Sequence, residues 1–407
     1  MTETIVVVGG GLAAAHAVET ARESGFAGRL VLLGDEHHLP YERPPLSKGF
    51  LTGDDELDSV FVHDPQWYDD QDVDLRLGTS VTGVDPAAHT VTAGGETTRY
   101  DRLLLATGAE PRRLPMADAS GVPVSYLRTI EDSRLLKDRF AAGGRVVVVG
   151  AGWIGLEAAS AARRAGAEVT VVESLDLPLL RVLGPEVAEV FASLHREHGV
   201  DLRLGASITG ISPEGSGAAV HLGNGDTVTA DLLVVGIGAA PRTGLAEAAG
   251  LAVDNGVLVD ERLVSSDPDV LVAGDLANAV HPLLGRRLRV EHWDNAIEQG
   301  KVAGRNLVGA GEVYDRMPYF FSDQYDLGME YVGHVTPDDG AEVVLRGDLG
   351  TRAFTALWVA GDRVLAGMHA NDWDAADRLR ALVGRQGDPG LLRDRDVPLG
   401  DLVAKVT

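Results

Sequence analysis

The sequence predicts an α/β protein with two similar α/β units and a smaller C-terminal α+β domain. Two glycine-rich turns carry this prediction, because each follows an apolar strand and opens an alanine-rich helix, at 5–14 and at 146–155. A second strand follows each helix, at 29–35 and at 168–173, which is the spacing of a β-α-β unit. From about residue 310 onward short alternating strands replace this pattern, which indicates a separate domain.

The two units share a longer repeat. The order of strand, helix, strand, hairpin-like region, apolar strand and glycine occurs twice, which indicates that a whole domain was duplicated. The C-terminal pattern predicts three strands and a helix, at 342–347, 353–359, 363–369 and near 373–384. We therefore expect three domains, formed by 1–112 with 242–311, by 113–241, and by 312–407.

Composition limits the classes of function. The 407 residues are 45% hydrophobic and 24% charged, which is ordinary for a soluble globular protein of two or three domains. A net charge of −25 argues against nucleic-acid binding, which requires basic surface. No apolar run approaches the roughly 18 residues of a membrane helix, and no basic signal region precedes the first strand, so we expect no membrane partner and a cytoplasmic location.

The glycine turns predict one dinucleotide site each. The first glycine of such a turn (Gly9, Gly150) permits a tight turn, and the second (Gly11, Gly152) lets the backbone approach a pyrophosphate. Unpaired N–H groups at the start of the following helix add donors and a positive dipole. The third position, which packs helix on strand, is Gly155 in the second turn. In the first turn it is Ala14, whose small methyl group is compatible with the same packing.

An acidic residue closes the second strand of each unit, where adenosine ribose hydroxyls lie in such folds. These residues are Asp35 and Glu173. Ser174, rather than an arginine, follows Glu173, so a 2′-phosphate would meet a carboxylate and no cation. The pattern favours NADH over NADPH, with a plain surface carboxylate as the alternative for Glu173.

Taken together, these and other motifs resemble the FAD- and NADH-dependent ferredoxin reductases. This family has a glutathione-reductase-like fold, includes putidaredoxin-reductase-like enzymes, and feeds ferredoxins that serve cytochromes P450 and Rieske-type aromatic oxygenases. The resemblance covers the whole chain, and its most specific part is the segment Arg43-Pro44-Pro45-Leu46-Ser47-Lys48. Its other motifs are Gly9-x-Gly11, Tyr41-Glu42, Ala106-Thr107-Gly108, the turn from Gly150 to Glu157, Ala273-Gly274-Asp275-Leu276, and Phe321-Ser322-Asp323-Gln324.

The resemblance implies an enzyme that passes hydride from NADH to FAD and single electrons to a ferredoxin of the 2Fe-2S or another small iron–sulfur type. Its implied FAD-binding residues are Gly9, Gly11, Ala13, Ala14, Asp35, Arg43, Lys48, Val81, Ala106, Thr107, Gly108, Arg128, Asp275, Trp293 and Phe321. Its implied NAD-binding residues are Gly150, Gly152, Trp153, Ile154, Gly155, Glu157, Glu173 and Gly236.

Cysteine is absent from the chain. Disulfide reductases of this fold carry a redox-active cysteine pair after the first unit, where this chain has the segment 43–48. Flavin electrons therefore have no protein dithiol to enter and must leave to an external acceptor. The resemblance places Lys48 beside the flavin and pairs it with Glu157, which would meet the nicotinamide carboxamide. The catalytic residues implied are these two.

Each assignment has a structural alternative. Lys48 fits a rigid turn with its ammonium in solvent, and Glu157 fits a glutamate favoured by the helix dipole. Asp275 would bind a ribitol hydroxyl of FAD, and a helix N-cap is compatible with the same geometry. Phe321 replaces a tryptophan of the family, so the indole N–H donor is gone and an electron-exit role for that ring is in doubt.

Electron exit leaves several functions open. Arg286, Arg287 and Arg289 form a basic cluster where an acidic ferredoxin would dock, and Lys301 and Arg305 follow soon after. The alternatives to a ferredoxin reductase are an NADH oxidase or quinone reductase of the same fold, and a flavoprotein similar to apoptosis-inducing factor. No histidine or acidic spacing predicts a metal site.

Overall fold

The computed structural model describes residues 3–406. Its strands, in chain order, are β1 (Thr4–Val8), β2 (Arg29–Leu33), β3 (Val73–Arg76), β4 (Val81–Asp85), β5 (Thr90–Ala93), β6 (Glu96–Arg99), β7 (Arg102–Leu105), β8 (Ala109–Pro111), β9 (Val124–Ser125), β10 (Arg145–Val149), β11 (Glu168–Val172), β12 (Asp201–Arg203), β13 (Ile208–Glu214), β14 (Gly217–Leu222), β15 (Thr227–Ala230), β16 (Leu232–Val235), β17 (Ala239–Pro241), β18 (Val257–Val259), β19 (Val270–Val272), β20 (Ala277–His281), β21 (Arg286–Leu288), β22 (Tyr319–Gln324), β23 (Leu327–Gly333), β24 (Glu342–Asp348), β25 (Ala353–Ala360) and β26 (Arg363–Ala370).

Its helices are α1 (Leu12–Glu23), α2 (Gly49–Thr52), α3 (Pro65–Asp70), α4 (Pro115–Asp118), α5 (Ile130–Ala141), α6 (Trp153–Arg164), α7 (Leu180–Glu197), α8 (Gly244–Ala248), α9 (Trp293–Leu307), α10 (Ala376–Leu382), α11 (Pro389–Arg393) and α12 (Leu399–Val403). Short 3-10 segments lie at Pro44–Ser47, Leu57–Val60, Gly274–Leu276, Pro337–Asp339 and Trp373–Ala375.

The first compact unit contains the chain up to Arg43 together with Glu56–Glu110 and Ala239–Pro318. Its parallel sheet has the order β19-β7-β1-β2-β3. Apolar runs fill these strands because helices cover both faces of such a sheet. Helices α1 and α9 approach closely, since a Cβ at Gly300 or Gly304 would lie 2.5 Å from a backbone oxygen of α1.

The second compact unit contains Pro44–Asp55, Pro111–Gly238 and the chain from Tyr319 onward. Its parallel sheet, β12-β11-β10-β16-β9, repeats the neighbour pattern of the first sheet. Each unit also carries a three-stranded antiparallel sheet, β4-β5-β6 before β7 in one and β13-β14-β15 before β16 in the other. The duplication predicted from the sequence is confirmed.

The C-terminal part forms a five-stranded antiparallel sheet of order β22-β23-β26-β25-β24. Strands β24, β25 and β26 match the three predicted strands, whereas β22 and β23 were not predicted. The predicted helix near 373–384 begins as a 3-10 turn and continues as α10. One apolar cluster joins Phe191 of α7 with Met329 and Trp358 of this sheet. The structure therefore groups this part with the second unit, and the division into three domains stays a prediction.

Candidate functional site

The first glycine turn connects β1 to α1. Gly9 has φ +122°, and a Cβ there would lie 2.1 Å from the carbonyl oxygen of Ala106, so only glycine fits. A Cβ on Gly11 would meet no atom within 4 Å, which leaves open space over the turn. Helix α1 has no side-chain N-cap and no acidic residue in its first turn. The open space and the uncapped helix start fit the pyrophosphate of a dinucleotide.

Several predicted FAD residues surround this turn. A Cβ on Gly274 would lie 3.2 Å from the Cβ of Ala13, so Asp275 follows a turn that lies against the start of α1. Thr107 donates its hydroxyl to the carbonyl of Arg242. Ala14 is fully buried, as packing at the third position requires. Among the other predicted residues of this unit, Gly108 has φ +70° between β7 and β8, Val81 begins β4, and Trp293 begins α9.

The acidic residues after β2 lie differently from the prediction. Strand pairing matches Leu33 to Val8 as it matches Val172 to Val149, so Gly34, not Asp35, is the counterpart of Glu173. Asp35, one residue further, pairs with Arg242 at 2.9 Å. Asp35 therefore lies two residues past the end of its strand and Glu173 one residue past, and the assignment of Asp35 to the adenosine ribose stays a prediction.

Two partners in this region were missed by sequence reasoning. Arg43 pairs with Glu36 at 3.0 Å, and its guanidinium lies over the ring of Tyr41. The Tyr41 hydroxyl donates to the same glutamate at 2.6 Å. The predicted FAD residue Arg43 is thus oriented by Glu36, which the sequence analysis did not single out.

The second glycine turn connects β10 to α6. Gly150 has φ +99°, and a Cβ there would lie 2.5 Å from the carbonyl oxygen of Gly236. A Cβ on Gly155 would lie 2.1 Å from the carbonyl oxygen of Gly150, whereas one on Gly152 would meet nothing within 4 Å. Helix α6 again has no side-chain N-cap and no acidic residue in its first turn. This turn also fits a pyrophosphate, with Trp153 and Ile154 as the first helical residues.

Glu173 lies at this second turn. Its carboxylate accepts hydrogen bonds from the backbone N–H groups of Ala151 at 2.7 Å and Leu175 at 2.9 Å. Ser174, which follows it, is exposed. The carboxylate is therefore fixed beside the turn and not loose on the surface, which argues against the plain surface alternative.

Lys48 and Glu157 form an ion pair within the second unit. The Lys48 Nζ lies 2.8 Å from Glu157 Oε1, and their side chains are 18% and 2% exposed. Two serines also donate to this carboxylate, Ser47 Oγ to Oε2 at 2.5 Å and Ser322 Oγ to Oε1 at 2.7 Å. A buried carboxylate is tolerated when a cation and further donors satisfy it, as they do here.

The segment that delivers Lys48 is rigid. Pro44 and Pro45 begin a 3-10 turn, and the backbone of Lys48 then starts α2. The Lys48 ammonium lies 5.3 Å from the centroid of the Phe321 ring, within the range of a cation–π contact. Burial raises the pKa of the nearby Asp323 carboxyl, an effect that Lys48 opposes and Glu157 reinforces. The lysine is thus held beside two carboxyl groups and an aromatic ring, which a turn residue with its ammonium in solvent would not be.

Arg128 belongs to the same unit. Its backbone N–H donates to Asp132 at the capped start of α5.

The expected basic cluster is not free. Arg289 is 9% exposed and pairs with Glu291. Arg287 donates to the backbone carbonyls of Val259 and Asn278. Further along, Lys301 pairs with Glu298 and Arg305 pairs with Glu312. These arginines and lysines have partners within the first unit, although Arg287 is exposed, and the docking role of the cluster stays a prediction.

Residues 3–406 contain no candidate metal centre and no candidate membrane helix. No group of three or more His, Asp or Glu side chains in that range is arranged to hold a metal ion. Among the helices of the described chain, none combines the length and apolar composition that crossing a bilayer requires.

His195, which no sequence pattern singled out, is fully buried on α7. Burial lowers the pKa of this imidazole to about 4. The unfolded chain would take up a proton near pH 6.5 that the folded chain refuses, so stability should fall as pH falls between these two values. We expect this residue to remove on the order of 3 kcal/mol of unfolding free energy across that range.

Urea unfolding at a series of pH values measures this effect. In His195→Gln, the slope of unfolding free energy against pH should decrease by the contribution of about one proton. A partly exposed control, His221→Gln, is measured in parallel. Equal slopes for His195→Gln and the unaltered protein would contradict the assignment of a neutral buried imidazole.

The chain is similar to known proteins along nearly its whole length. A family model described as pyridine nucleotide-disulphide oxidoreductase matches residues 3–300, and one described as reductase C-terminal matches residues 319–403. The chain is 41% identical over 404 residues to the ferredoxin–NAD(+) reductase component of the anthranilate 1,2-dioxygenase system of Burkholderia cepacia, covering 98% of each. It is 36% identical over 411 residues to putidaredoxin reductase of Pseudomonas putida, covering 99% of this chain and 97% of that protein. Among solved structures it is similar to the covalent putidaredoxin reductase–putidaredoxin complex, with a TM-score of 0.93, 36% identity and coverage of 99% and 98%.

Proposed function

Because the chain belongs to the pyridine nucleotide-disulphide oxidoreductase family, we propose that it is an NADH-dependent, FAD-containing ferredoxin reductase. Its electrons would go singly to a 2Fe-2S ferredoxin that serves a cytochrome P450 or a Rieske-type oxygenase. Relatives that match nearly the whole chain are reductases of this kind, which supports the proposal. We place the reaction in the cytoplasm, where NADH is supplied.

One observation carries the proposal. The chain holds two dinucleotide turns but no cysteine, and the place of a redox-active dithiol is taken by the segment that delivers Lys48 to Glu157. Electrons that arrive at the flavin therefore have no internal disulfide to reduce. An external acceptor must take them.

In the proposed mechanism, this chain's own residues bind and orient the two cofactors. Bound FAD supplies the chemistry of accepting a hydride and releasing electrons one at a time. The open turns at Gly11 and Gly152 would hold the two pyrophosphates at helix starts. Lys48, whose ammonium is paired with Glu157, would supply a positive charge that favours the reduced flavin. No general acid or base is needed, so the protein's contribution is binding, orientation and exclusion of water.

Reduction of ferredoxins by the purified holoprotein tests this function. We expect a yellow protein with one non-covalent FAD per chain, which reduces a 2Fe-2S ferredoxin with NADH at two ferredoxins per NADH. The stoichiometry follows from a two-electron donor and one-electron acceptors. Absorbance of the ferredoxin under anaerobic conditions measures it, with ferricyanide as an acceptor control. Fast reduction of oxygen or quinones without reduction of any ferredoxin would instead identify an oxidase or quinone reductase.

A further inference from the structure

A line of polar side chains runs through the core of the second unit and ends on Glu157. Ser322 Oγ lies 2.7 Å from Glu157 Oε1, Gln324 Nε2 lies 3.1 Å from Ser322 Oγ, and His195 Nε2 lies 2.9 Å from Gln324 Oε1. Each of these three side chains is at most 1% exposed. Buried polar groups are costly unless they are hydrogen-bonded, so their placement in one connected line is a strong constraint on the site.

The line has one direction. A carboxylate only accepts hydrogen bonds, so Ser322 must donate to Glu157. The Ser322 oxygen then accepts from the amide NH₂ of Gln324, whose carbonyl oxygen consequently faces His195. The imidazole must therefore donate through Nε2–H, and this network assigns its tautomer. Nδ1 of His195 has no hydrogen-bond partner among the described residues, as a neutral Nε2–H ring allows.

Local structure explains why these side chains meet. Ser322 and Gln324 are two residues apart on β22, so they point to the same face of the sheet. His195 lies on α7, with its ring edge-on to Tyr325 at 5.2 Å. Tyr325 itself stacks on His198, 3.7 Å away. The far end of the line is thus fixed by aromatic packing and not by solvent.

We propose that His195, Gln324 and Ser322 are positioning residues, whose one-directional hydrogen bonds keep the Glu157 carboxylate aimed at Lys48. None of the three needs to touch substrate, because they act through Glu157. The inference rests on the proposed function, in which the Lys48–Glu157 pair serves hydride transfer. It adds a structural reason for the fixed orientation of that pair. The reason is a chain of hydrogen bonds that begins at His195 on α7, in the interior of the unit, and ends at Glu157.

The surrounding charges define the expected pH behaviour. Glu157 faces the Lys48 ammonium from the 44–48 segment and the Asp323 carboxyl from β22. His195 faces the imidazole of His198 on its own helix. Hydrogen bonds to the ionised form of a carboxyl group favour that form. Loss of a donor in the line should therefore move the pH at which activity begins to fall to a higher value.

Stopped-flow reduction by NADH across pH tests the first half of the proposal. Ser322→Ala should slow reduction about tenfold at neutral pH and move the acidic limb of the profile upward by about one pH unit. In a Glu157→Gln background the same change should alter the rate less than about twofold, since the acceptor is no longer charged. Gln324→Leu should act in the same direction with a smaller effect.

Ser133→Ala is the matched control. Ser133 is also fully buried in this unit, but its hydroxyl donates to the carbonyl of Leu46 at 2.8 Å. We expect it to lower the melting temperature without moving the acidic limb. FAD content and melting temperature are measured for every variant, so a folding defect is separated from a change at Glu157.

The tautomer of His195 gives a readout that does not depend on turnover. Selective ¹⁵N labelling of histidine should show His195 as a neutral Nε2–H ring that does not titrate between pH 5 and 8. Glu157→Gln removes the group that enforces the direction of the line, so a population with Nδ1–H should appear. An Nδ1–H ring in the unaltered protein, or no response to Glu157→Gln, would overturn the proposal.

The outcomes separate this inference from the proposed function. If NADH does not reduce the flavin of the unaltered protein, the proposed function fails and the inference fails with it. If the unaltered protein reduces ferredoxin but Ser322→Ala and Gln324→Leu keep its pH profile, only the positioning line is wrong. Reduction of quinones in place of ferredoxin would overturn the assigned acceptor and leave the line intact, because the test measures the NADH half-reaction alone.

Discussion

Lys48→Ala should slow reduction of the bound flavin by NADH about 100-fold, which is the scale of removing one preorganised charge from a reacting centre. The ammonium is held 2.8 Å from Glu157 and beside the Phe321 ring, so its position is fixed before NADH arrives. Its loss also leaves the Glu157 carboxylate buried without a cation, an arrangement that proteins rarely tolerate. FAD content should stay close to that of the unaltered protein, since no residue of the pyrophosphate turn is changed.

Stopped-flow absorbance at the flavin band measures this rate under single-turnover conditions. Lys137→Ala provides a control in the same unit, because the Lys137 ammonium lies over Phe50 at 5.7 Å and does not contact Glu157. We expect the control to reduce at the unaltered rate. An unchanged half-reaction in Lys48→Ala would mean that this lysine only supports the turn.

Glu173→Ala combined with Ser174→Arg should shift the ratio of kcat/KM for NADH over NADPH by about 100-fold toward NADPH. The change removes a carboxylate that would repel the 2′-phosphate and adds a bidentate cation for it. Ser174 is exposed, so an arginine there has room. The unaltered enzyme should prefer NADH, and equal use of both cofactors would contradict the assignment.

Glu173→Gln separates the effect of the Glu173 charge on cofactor choice from the effect of its hydrogen bonds to the turn. The Glu173 carboxylate accepts from the N–H groups of Ala151 and Leu175, and a glutamine oxygen retains one such acceptor without the charge. We expect Glu173→Gln to relax the preference against NADPH with little loss of NADH turnover. A large loss of NADH turnover in this variant would show that the carboxylate mainly supports the turn.

Local sequence was sufficient for the parts of the fold with strong periodicity. The apolar run of β10, the glycine turn and the helix α6 were predicted within one or two residues, because their signals lie within one short segment. Strands β22 and β23 were missed, since three aromatic residues are followed by three polar ones in β22 and neither strand has a long apolar run. The Lys48–Glu157 pair was implied by resemblance, and nothing in the spacing of the two residues would have joined them.

Long-range partners were beyond local reasoning. Asp35 pairs with Arg242 across 207 positions, and His195 meets Gln324 across 129. Such contacts depend on how distant segments of the chain pack together, and this packing cannot be inferred from local patterns in one sequence. The basic cluster shows the same limit: a run of arginines in the sequence says nothing about the carboxylates and carbonyls that each one meets.

The path of the chain around Lys48 limits how this enzyme can be recombined. Pro44–Asp55 belongs to the second compact unit, although the residues on either side belong to the first. A chimera that exchanges the NADH-binding part as one continuous block, 113–241, would carry Glu157 into the new protein and leave Lys48 with the recipient. Designed hybrids between relatives must therefore transfer the segment Pro44–Asp55 as well. The alternative is to start from parents in which this segment is interchangeable.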